Sequence, residues 1–392
     1  STTQRGTAIY SAGLWLGGYS TSGNLHAAAQ TYRQAGNDFW AGPIDALSGE
    51  ADSLNCARFD NVWHVSLVDV MALLEDYYAD GVVNQPIPPA LLAWPGKGNP
   101  NYPTIFGFTL PNQDLAPFFD RNSDGIYNPA NGDYPVFEHG NPNAMADELA
   151  WCVFNDKAAA HEVTDIRHLG IEVQLTAYAF NCQQGAGVLK DVIFTRHRLI
   201  NRSNNDYIGF RAGLHVDFDL GCSGDDYVGT DAARNTIYAF NGDYTDGYSG
   251  CSETPYGQNP PVVSVTFLNH PLKKSIYNLA STVSPLGHPR DPNPANDYYN
   301  LLSGSWVDGY PLTYGNTGYD TLSSNVTDFV FPNYPSDTAA NKWWADDGYA
   351  WAQGQDFRMI GSLFSDTFYI NEVRDIDAAF AYHYDGSITG LH

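Results

Sequence analysis

Val188-Leu-Lys-Asp-Val-Ile-Phe-Thr-Arg-His-Arg-Leu-Ile200, Asn201-Arg-Ser-Asn-Asn205 and Tyr207-Ile-Gly-Phe-Arg-Ala-Gly-Leu-His-Val-Asp-Phe-Asp219 follow one another in this chain. Two runs rich in β-branched and aromatic residues flank a cluster of turn formers. Such runs fit a pleated, half-buried surface, and Asn and Ser at the junction favour a turn. With the similar run Ile171 to Phe180 before them, they predict an antiparallel meander with short connections. Val262 to Leu268 and a late pair, Asp356 to Phe364 and Asp375 to Tyr384, extend the meander into an antiparallel β-sandwich. Residues 285–355 read as a long aromatic loop insertion, with Pro, Asn, Gly and Tyr throughout.

Towards the N-terminus, Ile9 to Arg33 reads as a hairpin turning through Gly17-Gly18 and Ser22-Gly23-Asn24. One amphipathic helix is expected near residues 66–80. Ser66 can cap it, Val65 and Val70 are placed as a staple, and Val70, Leu73, Leu74 and Tyr77 share a face before Gly81 ends it. The proline-rich residues 85–117 read as an extended connector packed on a surface, because Trp94, Phe106 and Phe108 need burial. The expectation is a mostly β protein. Residues 1–150 hold the hairpin, helix and connector; residues 151–392 hold the sandwich.

Charged residues are only 16% of the 392, yet the net charge is -25. Eight glutamates among 44 acidic residues leave 36 aspartates. Aspartate is a poor helix and strand former but a good turn residue and cation ligand, so the skew predicts many turns and several metal loops. An acidic surface repels phosphate backbones, which argues against nucleic acid as a partner. No run of about 18 apolar residues offers a transmembrane segment.

The proline-rich connector leads into Asp120-Arg-Asn122-Ser-Asp124-Gly125-Ile126-Tyr-Asn128, continuing to Asn131-Gly132-Asp133. Oxygen-bearing side chains fall at loop positions 1, 3, 5 and 9, with glycine at position 6. That is the spacing with which Ca²⁺ collects six to eight oxygens, the Ile126 carbonyl among them. Position 12 is Asn131, so Asp133 is expected to complete the shell. Pro129 and Pro135 argue against the exiting helix of an EF-hand.

A second acidic group comprises Asp217, Asp219, Asp225 and Asp226, with Asp231, Asp243 and Asp246 beyond. Alternation along a strand puts Asp217 and Asp219 on one face, where a cation would relieve their repulsion. Five cysteines form no C-x-x-C pair, which disfavours zinc. Cys222 with Cys251 and Cys152 with Cys182 are candidate disulfides, leaving Cys56 free. No zinc helix, nucleophile elbow or phosphate loop occurs, and His161 and His215 read as structural. Carboxylate pairs suited to glycoside hydrolysis abound, and Trp343, Trp344 and Trp351 are a candidate sugar-stacking platform.

The segments Ser11-Ala-Gly-Leu-Trp-Leu-Gly-Gly18, Ala28-Ala-Gln-Thr-Tyr-Arg33, Gly36-Asn-Asp-Phe-Trp40, Leu115-Ala-Pro-Phe118 and Asp124-Gly-Ile-Tyr-Asn-Pro129, with Asp217-Phe-Asp-Leu-Gly221 and Asp225-Asp-Tyr-Val-Gly229, resemble the large extracellular proteins of Bacteroidota exported by type IX secretion. The resemblance spans most of residues 8–270. It implies a secreted or cell-surface location and a C-terminal sorting domain removed on release. The chain stops at Gly390-Leu-His392 without that domain, as a processed product would. It also implies O-glycans on Asp-Ser/Thr motifs, with Ser53, Thr321 and Thr338 as candidates. The combined expectation is a calcium-stabilised structural or adhesive protein, self-assembling into filaments or a surface layer or contacting other surface components. The alternative is a carbohydrate-active protein, either a glycan-binding module or a glycoside hydrolase.

Overall fold

A computed structural model describes residues 6–181, 187–242, 244–279, 289–315, 317–332 and 356–384. In chain order the strands begin with β1 (Ile9–Ser20), β2 (Leu25–Ala29), β3 (Trp40–Ala41), β4 (Trp63–Ser66), β5 (Phe118–Phe119), β6 (Tyr134–Pro135), β7 (Glu148–Asn155), β8 (Ile171–Ala179) and β9 (Val192–Asn201). They continue with β10 (Tyr207–Phe218), β11 (Asp226–Asp231), β12 (Thr236–Asn241), β13 (Thr245–Asp246), β14 (Gly257–Gln258), β15 (Val262–Phe267), β16 (Lys274–Leu279), β17 (Phe357–Leu363) and β18 (Val373–His383). The helices are α1 (Ser53–Phe59), α2 (Leu67–Asp80), α3 (Pro89–Leu92), α4 (Tyr102–Phe106) and α5 (Ala295–Leu302).

Two antiparallel sheets carry the architecture, which is mostly β and sandwich-like. One runs β16-β17-β10-β1-β2; the other runs β11-β12-β15-β18-β9-β8-β7-β3, with β4 also paired to β7. Leu14, Leu214, Val216 and Ile360 from the first share one apolar core with Val173, Leu199, Val265 and Ile376 from the second. The centre of the first sheet is buried on both faces. Its β17 is buried at every position, because α5 and the residues after it cover the outer side with Tyr298, Leu302, Trp306 and Leu312. Gly17 permits this close approach, since a Cβ there would meet the Tyr299 ring at 2.8 Å.

The expected meander is corrected at its last strand. β8 and β9 pair as predicted, but β10 leaves that sheet to pair with β1 and β17 in the other. The corner is built by Asn201, whose side chain donates to the carbonyls of Asn205 and Tyr369 and accepts from Ser203. The division near residue 150 also moves, because the N-terminal hairpin belongs to the sandwich. A second core, running from Phe59 to Val153, packs Trp63, Trp94, Tyr102, Tyr127 and Trp151. The insertion read as loop contains α5, and residues 333–355 within it, with Trp343, Trp344, Trp351 and Thr338, lie outside the described residues.

Helix α2 forms as its sequence demands. Ser66 Oγ accepts from the Asp69 N–H, the Asp69 carboxylate accepts from the Ser66 N–H, and Gly81 closes the helix in the left-handed region. The Cys222–Cys251 bridge closes a span of 29 residues. On loop-entropy grounds its removal by paired alanines is expected to cost about 3.6 kcal/mol, measurable as a lowered denaturation midpoint. Cys152, set opposite Leu175 in the register, carries a free thiol, as does Cys56. Cys182 lies outside the described residues. Of the glycan candidates, Ser53 opens α1 and Thr321 is exposed.

His215, stacked on Trp15 at 4.6 Å, is buried and pushed down to about 3 by that burial and the nearby Arg358 charge. The unfolded chain therefore takes up this proton first as pH falls. Stability from the neutral ring is complete above about 6.5, the ordinary histidine value, and is lost as pH falls from there towards 3. A His215→Phe variant, which keeps the ring stack, is expected to flatten this limb of the melting-temperature profile.

Candidate metal centres

The loop 120–133 connects the ribbon β5–β6, in which Phe118 pairs with Pro135 and Phe119 with Tyr134. The ribbon fixes both ends of the loop and points its first half outwards. Asp120 accepts from the Gly125 N–H at 2.7 Å and the Asp124 N–H at 3.3 Å; Asp124 accepts from the Ile126 N–H at 2.8 Å. The Asn122 carbonyl oxygen also accepts from Asp124 N–H, and its amide donates to Asp124 Oδ2 at 2.8 Å. Three oxygen-bearing side chains thus converge on one turn. Gly125 holds φ 77°, the left-handed conformation that position 6 requires.

Two of the expected ligands serve the loop's other half. Asn128 Oδ1 accepts from the Ala130 N–H and caps a short 3₁₀ turn. Asp133 is buried and clamps the loop, its two oxygens accepting from the N–H groups of Arg121 and Asn128 at 2.9 and 2.8 Å. Burial raises its carboxyl above the ordinary value against those two bonds, and the charges of Asp120 and Asp124 add to the rise. Arg121 anchors the loop to α2, its guanidinium 4.4 Å from the Tyr77 ring centre and its Nε donating to the Gly132 carbonyl. A Cβ at Gly132 would strike Arg121 and Tyr77, both at 2.9 Å.

The second group of carboxylates divides. Asp217, near the end of β10, and Asp219, one residue past it, share a face as alternation predicts. Asp356, just before β17, joins them; single oxygens of the three lie within 4.8 Å of one another. The register places Arg358 of β17 opposite Asp217, and its guanidinium lies 3.3, 3.4 and 3.6 Å from Asp217, Asp291 and Asp356. Tyr32 donates to Asp217 Oδ2 at 2.6 Å. Asp217 Oδ1 and Asp356 Oδ1 are sealed from solvent without a hydrogen bond. Burial, then the Asp217 and Asp356 charges, push Asp219 up to about 7.

Asp225 and Asp226 do not join this group. Asp226, fully buried, accepts from the Leu220 N–H at 2.9 Å; Asp225 accepts from the Gly247 N–H at 3.0 Å. With Asp246, which accepts from Cys222 N–H, they brace the disulfide-bearing segment. The reason is local: backbone N–H groups of Leu220 and Gly247 hold these two carboxylates in place. Asp356 and Arg358 escaped the sequence reading because only the register of β10 with β17 brings them to Asp217; Tyr32 and Asp291 reach the site from other segments.

The residues present suit a hard cation in both places. The loop offers two carboxylates and an amide oxygen in a glycine-kinked turn; the β10–β17 site offers three carboxylates, with Asp356 Oδ1 lacking a hydrogen bond and Asp217 Oδ1 facing Arg358 Nε at 3.3 Å. His161, by contrast, is an internal brace, its Nε2 2.7 Å from the Asp156 carbonyl oxygen and its Nδ1 3.2 Å from Thr164 Oγ1. In comparison with known proteins, no family model matches this chain, and no curated protein matches it significantly.

Proposed function

We propose that this chain is a secreted or cell-surface structural or adhesive protein whose loops are rigidified by Ca²⁺, exported in the manner of the type IX proteins it resembles. The observation that carries the reading is the loop 120–133. There Asp120, Asn122 and Asp124 converge around a left-handed glycine while Asp133 and Arg121 pin the surrounding backbone. The ion would take Asp120, Asn122, Asp124 and the Ile126 carbonyl, with Asn128 and Asp133 supporting. A second would take Asp217, Asp219 and Asp356. Calcium supplies charge neutralisation and cross-linking between segments; the protein supplies preset oxygens. Residues such as Val68 and Met71, apolar and exposed on α2, offer contact surface for self-assembly or for other cell-surface components.

One observation favours the alternative, a carbohydrate-active role. Asp219, held near 7 beside Asp217, has the properties of a general acid. Light scattering and electron imaging with calcium and with chelator, alongside a polysaccharide digest, separate the two. Calcium-dependent oligomers without cleavage support the structural reading. Cleavage abolished by Asp219→Asn, from a protein that stays monomeric, would overturn it.

A further inference from the structure

We propose that a cleft at the seam between the two cores binds a small, neutral, flat aromatic molecule carrying one hydrogen-bond acceptor, which the Nε2–H of His197 engages. The cleft encloses about 580 Å³, within the size range of small-molecule sites, and it lies between packed units, where such sites concentrate. Leu14 of β1 and Leu175 of β8 come from the sandwich; Phe59 of α1 comes from the second core. Phe39, Trp40 and Phe154 add aromatic faces to the walls, with Phe39 and Phe154 set edge to face at 5.5 Å.

Of the polar side chains that line the cleft, Asp60 and Asn61 are exposed and Gln30 is half-buried, whereas His197 is buried. It is 7% exposed, lines the cleft and makes no hydrogen bond. Its Nδ1 is sealed without a partner, so Nε2 is the ring nitrogen left to meet a ligand. A buried donor without a partner is tolerated less well than an under-used acceptor, so the ring proton belongs on Nε2, directed into the apolar space. Burial pushes the ring down to about 4, so it is neutral at neutral pH.

This chemistry selects the ligand. A neutral N–H donor wants an acceptor such as a ketone or amide carbonyl, and the aromatic walls want a flat apolar body. An anion would find no counter-charge on a neutral ring in a chain of net charge -25, with Asp60 at the cleft's edge. A cation would meet the N–H dipole end-on.

The probe is 6-acetyl-2-dimethylaminonaphthalene, a neutral aryl ketone whose emission shifts to the blue in apolar surroundings. Saturable, blue-shifted binding at one site per chain is expected. His197→Phe, which keeps a ring and removes the donor, is expected to weaken binding about tenfold, the worth of one hydrogen bond. Leu175→Trp, which fills the cleft, is expected to abolish it. A third measurement needs no substitution. The free thiol of Cys152 lines the cleft, so saturating probe should slow its maleimide modification several-fold, while Cys56, which lies outside it, reacts at an unchanged rate. Absence of saturable binding overturns the proposal. So does binding that leaves the Cys152 rate unchanged, or that survives intact in both folded variants.

Discussion

Excess chelator is expected to lower the melting temperature of the native chain by roughly 6 °C. An ion bound only by the folded state, present at 100 times its dissociation constant, contributes about 2.7 kcal/mol, so two sites contribute about 5 kcal/mol. Unfolding entropy scales with length, at about 0.8 kcal/mol per kelvin for a chain of this size, which converts that free energy into the stated shift. The physical origin is the crowding of like charges. Asp120 and Asp124 share one exposed turn, and Asp217, Asp219 and Asp356 share one partly buried corner. Differential scanning calorimetry in calcium and in chelator checks the shift. An Asp124→Ala chain should respond about half as strongly, because only the β10–β17 ion remains for chelator to remove.

Arg358→Met is expected to destabilise the protein by about 3–5 kcal/mol, the usual consequence of removing one partner from a buried ion group. Arg358 is 8% exposed, and the register of β10 with β17 sets it among Asp217, Asp291 and Asp356. Methionine keeps most of the apolar stem, so the lost charge dominates. The remaining carboxylates then repel one another in a partly desolvated corner. Denaturant titration in chelator measures the full effect. Added calcium should shrink it, since the ion supplies the charge the guanidinium no longer does. A loss of stability independent of calcium would separate Arg358 from any metal role. Calcium binding here is also expected to be coupled to protons. With Asp219 near 7, affinity should fall about tenfold per unit as pH drops below that value.

Local signals in the sequence survive in the fold wherever neighbouring residues decide the outcome. Ser66, Asp69 and Gly81 form their caps with no help from distant segments, so α2 could be read directly. The loop 120–133 is likewise self-contained: Asp120 and Asp124 bind backbone N–H groups within five residues. Where pairing over long distances decides, the reading stopped short. Tyr207–Phe218 was recognisable as a strand, but its place beside β1 depends on burial of one face against the second sheet and the other under α5. Asp226–Asp231 looked like acidic loop and is a buried strand because Thr236–Asn241 pairs with it at every position. The helix α5 carried a signal that went unread, with Tyr298, Leu301 and Leu302 at i, i+3 and i+4 inside a Pro- and Asn-rich stretch. The second candidate metal centre needed Asp356, 137 positions beyond Asp219 in the chain and brought near only by strand register.

Calcium stoichiometry by isothermal titration of the chelator-stripped, full chain tests the central claim most directly. Two ions per chain are expected, one lost in Asp124→Ala and the other in Asp219→Asn. A featureless titration, with the same melting temperature before and after stripping, would contradict the account.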